Sequence, residues 1–82
     1  MLEARIASPR GSLYFAAEAT PYDLEMLQLY VRDLAPERSA GALSLEVKVD
    51  DGDPAAPAIT SWLAQLAAAG VHVARSRRAL AR

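Results

Sequence analysis

Three aspartates crowd one short turn, Asp50-Asp51-Gly52-Asp53, and carboxylates gathered around a glycine are the residue type that holds Mg²⁺ or Ca²⁺ through oxygen. The spacing does not continue into the later ligands and closing Glu of a calcium loop. An ordinary turn explains the same residues, with Gly52 bending the chain and Asp53 capping the helix beyond it, so no metal ligands are assigned. His72 is the sole histidine. General-base work needs a partner in hydrogen-bond reach, and no Ser or Cys nucleophile is arranged with His72 along the chain. Gly11, Gly41, Gly52 and Gly70 are scattered singly, which excludes a Gly-rich phosphate loop. No catalytic residue is assigned, no cofactor is implied, and an enzyme is the weaker class. Its best form is a small metal-dependent hydrolase using Asp50, Asp51, Asp53 and His72.

Arg75, Arg77, Arg78 and Arg82 make a basic end on a chain of net charge −1. Residues 75–82 read as a solvated tail that frays or forms half a helix. Nucleic-acid binding requires a broad basic patch with exposed aromatics among the basic residues. Here Tyr14, Phe15, Tyr22, Tyr30 and Trp62 lie far along the chain from those arginines, so nucleic acid is not an expected partner.

These groups must be positioned by a single small domain, residues 1–82, with one thin core. The chain has no cysteine, which removes disulfides and thiolate metal ligation and makes a cytoplasmic location the default. Met1 to Arg5 lacks the basic and apolar stretches of a signal peptide. No charge occurs from Pro54 to Ala74, but Pro57, Thr60, Ser61, Gln65 and Gly70 interrupt the run and much of it is Ala, so no membrane span is expected.

From Leu43 to Asp50, Leu43, Leu45, Val47 and Val49 alternate with Ser44, Glu46, Lys48 and Asp50, the pattern of a strand with one dry face and one wet face. Helices therefore cover the sheet on one side only. Leu2 to Ala7 and Ser12 to Ala17 alternate likewise around the turn Ser8-Pro9-Arg10-Gly11, giving an antiparallel hairpin. Thr20, Pro21 and Asp23 open a helix with Leu24, Leu27, Val31 and Leu34 on its stripe. Pro36 stops it, and Glu37 to Gly41 form a polar link.

A second helix carries Ile59, Leu63 and Leu66 inward with Trp62 beside them. Its start is open between Asp53 with Pro54 and Ala56 with Pro57. Gly70 terminates it, and the last strand, Val71 to Ala74, turns His72 outward. The wet face of the sheet should carry Arg5, Tyr14, Glu46 and Lys48, with opposite charges on neighbouring strands free to pair. The order is ββαβαβ, an α/β fold with a four-stranded mixed sheet and both helices on one face.

The segments Ser12-Leu13-Tyr14-Phe15, Leu45-Glu46-Val47-Lys48-Val49-Asp50, Thr60-Ser61-Trp62-Leu63 and Gly70-Val71-His72-Val73, in this order of elements, resemble a STAS domain, the module of bacterial anti-sigma-factor antagonists. Trp62 stands where that family has Gly. The resemblance implies a regulatory, non-catalytic module and places a phosphorylatable hydroxyl at Ser61. A protein partner would then dock on Asp51, Asp53, Thr60, Ser61 and Trp62, in the loop and second helix around residues 51–62, or pair with an edge strand. The other reading from small size and one-sided cover is a self-associating structural subunit, a homo-oligomer within a larger assembly.

Overall fold

The computed structural model describes residues 1–34, 42–78 and 80. Pro36 as a helix stop, the link from Glu37 to Gly41, and Arg82 lie outside the described residues.

Alternation places Leu2, Ala4 and Ile6 on one side of β1 (Leu2–Ser8), and all three are buried. A tight turn at Pro9-Arg10 returns the chain as β2 (Gly11–Ala17), antiparallel to β1 with Ser8 opposite Gly11. The Ser8 hydroxyl accepts the Arg10 N–H at 3.1 Å, which satisfies a turn donor locally. Ala19 then adopts φ 68°, the left-handed conformation that turns the chain off the sheet.

Helix α1 (Pro21–Leu34) starts as its sequence predicts. The Thr20 hydroxyl accepts the Asp23 N–H at 3.2 Å and the Asp23 carboxylate accepts the Thr20 N–H at 3.0 Å, a reciprocal box closed by Asp in place of Glu. Leu27 and Val31 are buried, and Tyr30 meets Phe15 of β2 edge-on with ring centroids 5.7 Å apart.

Strand β3 (Ser44–Val49) pairs antiparallel with β1, and β4 (His72–Arg75) pairs parallel with β3, giving the sheet order β2-β1-β3-β4. Between β3 and β4, α2 (Ala56–Ala68) begins one residue before the later of its two candidate starts, with Ala55 in the cap position and Pro57 second in the helix. Asp53 does not cap it through Pro54. Its Oδ1 instead accepts the Ala55 N–H at 2.9 Å and shapes the turn before the helix. At the far end Gly70 takes φ 97°. The Val71 N–H reaches the Leu66 carbonyl at 3.0 Å and the Gly70 N–H reaches the Ala67 carbonyl at 3.1 Å, a Schellman motif.

Leu27 and Val31 of α1 and Ile59 and Leu63 of α2 share one core with Leu2, Ala4, Ile6, Leu45, Val47 and Val49. Both helices therefore lie on the same face of the sheet. Each fully buried Leu or Ile contributes about 1.5–3 kcal/mol by leaving water.

The other face is not wholly wet. Glu3 points away from the helices yet is only 6 % exposed, because its Oε2 accepts the Tyr14 hydroxyl at 2.9 Å and the Leu80 N–H at 3.0 Å. Leu80 is itself buried outside the helix-side core. The segment after β4 thus returns across the open face to β1. Residues expected in a frayed tail are instead Arg75 within β4, Ser76 bonding the Arg78 carbonyl at 2.8 Å, and the buried Leu80.

Candidate functional site

The carboxyl ends of β3 and β4, where open α/β sheets hold ligands, bring the acidic turn against the first of the tail arginines. Arg75 lies level with Val47 on β4. Its Nη2 bonds the Asp51 carboxylate at 2.7 Å and the Val49 carbonyl at 3.2 Å, while Nη1 bonds the Thr60 hydroxyl at 3.3 Å. One guanidinium thereby joins strand end, loop and second helix, a use of its fork of donors that a lysine could not reproduce. Beside this clasp lies a cleft of about 630 Å³ lined by Lys48, Val49, Asp50, Asp51, Arg75, Ser76 and Arg77.

Every acid of the turn is already answered by a donor. Lys48 Nζ bonds Asp50 at 3.0 Å, and the N-terminal amine stands 3.8 Å from Asp50 and 3.5 Å from Asp53. The hydrogen bond from Lys48, then its charge and that of the amine, hold the Asp50 carboxyl below its usual value. Among the described residues no three His, Cys, Asp or Glu side chains are grouped to hold a metal ion.

His72 stands level with Ser44 at the start of β3, whereas Asp50 follows its end. At about 3.3 Å per residue, six residues separate them by about 20 Å. That distance removes the shared chemistry on which a hydrolase of Asp50, Asp51, Asp53 and His72 would depend. His72 is exposed on the open face, as its alternation predicts.

The five residues expected to meet a partner do not form one surface. Asp51 and Thr60 are clasped by Arg75. Asp53, with its side chain 12 % exposed, turns toward the N-terminal amine and Ala55. At 100° per residue Thr60 and Trp62 lie about 160° apart around α2, on opposite flanks of the buried Ile59–Leu63 stripe. Ser61 lies between them and is exposed, and Trp62 is half-buried against the core.

Ser61 is the sixth residue of α2, past the free amides of its first turn. Phosphate placed there would not meet those N–H groups. Arg75 is the member of the site that sequence reasoning missed. Four arginines near one terminus look like a solvated run, and only the parallel pairing of β4 with β3 marks the first of them as facing the turn.

The alternating charges of the open face likewise bond in an unexpected way. Glu3 stands opposite Lys48 in the β1–β3 register, but Lys48 bonds Asp50 and Glu3 bonds Tyr14 and the Leu80 amide. No helix among the described residues is long and apolar enough to cross a membrane. Compared with models of protein families, with curated proteins and with solved structures, the chain matches none of them.

Proposed function

We propose that the chain is a non-catalytic regulatory module of STAS-like type that binds a protein partner on the β4 flank of α2. The contact surface is the loop at Asp51, the exposed side of α2 at Thr60 and Ser61, and the polar cleft that continues to Arg77. The observation that carries this reading is the Arg75 clasp. It holds loop and helix in one geometry, so a partner meets a preorganised surface and loses less ordering entropy on binding.

Charges of both signs rim the cleft, which suits selection of a protein surface of complementary pattern. The ββαβαβ order, with its loop at the carboxyl ends of the parallel strands, supports the likeness to a STAS domain. Ser61 acts as a contact residue at the crest of the helix. Trp62 fixes α2 to the core from the far flank.

Photo-crosslinking tests the reading. A benzophenone side chain introduced in place of Ser61 gives one discrete protein adduct in cells, and the same group in place of Gln28, exposed on α1, does not. Asp51→Lys, which repels Arg75 and opens the clasp, abolishes the adduct while the folded circular-dichroism spectrum is kept. Equal adducts from both positions, or full yield with Asp51→Lys, would overturn it.

A further inference from the structure

Strand β2 ends the sheet with seven residues, Gly11 to Ala17, that carry neither a charge nor a proline. Among the described residues such an edge carries no charge, proline or bulge to block pairing with another chain. The direction of its main-chain groups follows from bonds elsewhere in the sheet. The Val47 carbonyl accepts the Ser76 N–H at 2.7 Å on the β4 side, so the alternate residues Ser44, Glu46 and Lys48 turn toward β1. In the β1–β3 register these stand opposite Ala7, Arg5 and Glu3, which leaves Ala4 and Ile6 turned toward Phe15 and Leu13 of β2. Ser12 and Ala16, both exposed, therefore direct their N–H and C=O groups outward from the sheet.

We infer that β2 pairs antiparallel with β2 of a second copy of this chain, about a two-fold axis at Tyr14. In this register Ser12 of each copy stands opposite Ala16 of the other, so the outward donors and acceptors are matched. Leu13 meets Phe15 on the helix side, extending the apolar layer that Tyr30 already covers. The same register brings Arg10 of each copy opposite Glu18 of the other. Both are exposed; Glu18 has no partner among the described residues, and the Arg10 guanidinium, whose Nη1 bonds the Asp33 carbonyl at 3.4 Å, keeps further N–H donors to meet it. An uncharged strand bracketed by opposite charges at equal distances from its centre is self-complementary only in the antiparallel sense and only in this register.

Helix α1 is biased the same way. Tyr30 marks the side that lies above β2, and the residues next to it on that side are Met26, the exposed Asp33, the exposed Tyr22 and Leu29. Gln28, Arg32 and Glu25 occupy the side toward α2. Pairing β2 with its copy brings the Tyr30 sides of the two α1 helices, apolar apart from Asp33, toward one another and makes one eight-stranded sheet of two four-stranded ones. This edge lies across the sheet from the Arg75 clasp, so pairing stands or falls independently of the partner-binding reading.

Analytical ultracentrifugation of the intact chain over a concentration series tests the pairing. A dimer is expected. Glu18→Arg sets Arg against Arg at both ends and raises the dimer dissociation constant about tenfold, two cross-strand contacts each changing by a fraction of a kcal/mol. Adding Arg10→Glu restores the opposite signs and the original constant. Ala16→Pro deletes an outward donor without touching the β1 ladder and gives a monomer with an unchanged circular-dichroism spectrum. A monomer throughout, or a dimer indifferent to Glu18→Arg and Ala16→Pro, overturns the inference.

Discussion

Strand β2 closes one side of the sheet with seven uncharged residues, whereas β4 closes the other with four, led by the exposed His72 and ending in Arg75. At β4 the chain protects its edge by shortness and charge. Ser76 bonds Val47 and then turns away, and the arginine turns in to bind the loop of its own sheet. At β2 none of these devices is present, and the strand is backed by an aromatic pair under α1. The contrast teaches that two edges of one small sheet can be built differently, one beside a charged cleft and the other an uncharged strand.

The core beneath the two edges is the first place to break that comparison. Leu27 lies beneath α1 and Ile59 beneath α2, and both are fully buried. Leu27→Ala and Ile59→Ala should each cost about 3 kcal/mol in urea titrations, within the range for truncating a buried aliphatic side chain. Equal costs place the difference between the sides at their rims. A cost for Ile59 half that for Leu27 would mean that the β4 side is the looser half of the molecule.

The links entering α1 and leaving α2 offer a second contrast, since each contains a left-handed residue. One is Ala19 at φ 68° and the other Gly70 at φ 97°. Gly70→Ala should destabilise by about 1 kcal/mol. Ala19→Gly should leave stability nearly unchanged, because relief of a similar strain is offset by the lost buried methyl and the looser unfolded chain. Thermal melts of the two variants read the difference directly.

Smaller effects belong to the charged edge. Arg75→Met breaks contacts to a largely exposed carboxylate, so stability should fall by no more than about 1 kcal/mol. Hydrogen exchange of the amides from Asp51 to Ala55 should nevertheless quicken severalfold, while β2 amides keep their rates. For Lys48→Met the readout is the titration of Asp50. Its folded pKa lies below the ordinary 3.8, so the favourable contact is present above that value and is lost as pH falls through the lowered one. Removing Lys48 should move the midpoint back toward 3.8 by carboxyl-carbon NMR.

Much of the fold was legible because its signals are local. The period of two in Leu43–Asp50, the Thr20–Asp23 box and Gly70 each act within a few residues and need no distant partner. The start of α2 was legible only as two alternatives, since Asp53-Pro54 and Ala56-Pro57 each satisfy the local rules. The turn at Asp53, bonded to Ala55 and facing the N-terminal amine, decided between them. The site was harder to read because its members are distant. Thr60 and Trp62 are neighbours along the chain and strangers around the helix, whereas Arg75 sits fifteen residues from Thr60 and touches it.

By itself the sequence determined the order of elements, the face of each strand that is dry and the residues of the helix stripes, because periodicity couples directly to backbone geometry. Only the tertiary structure decided that Glu3 is buried under Leu80, that Arg75 gathers Asp51 and Thr60, and that His72 stands at the opposite end of the sheet from the acids. Those outcomes depend on strand order and register. Both are set by long-range packing that no local window of residues contains.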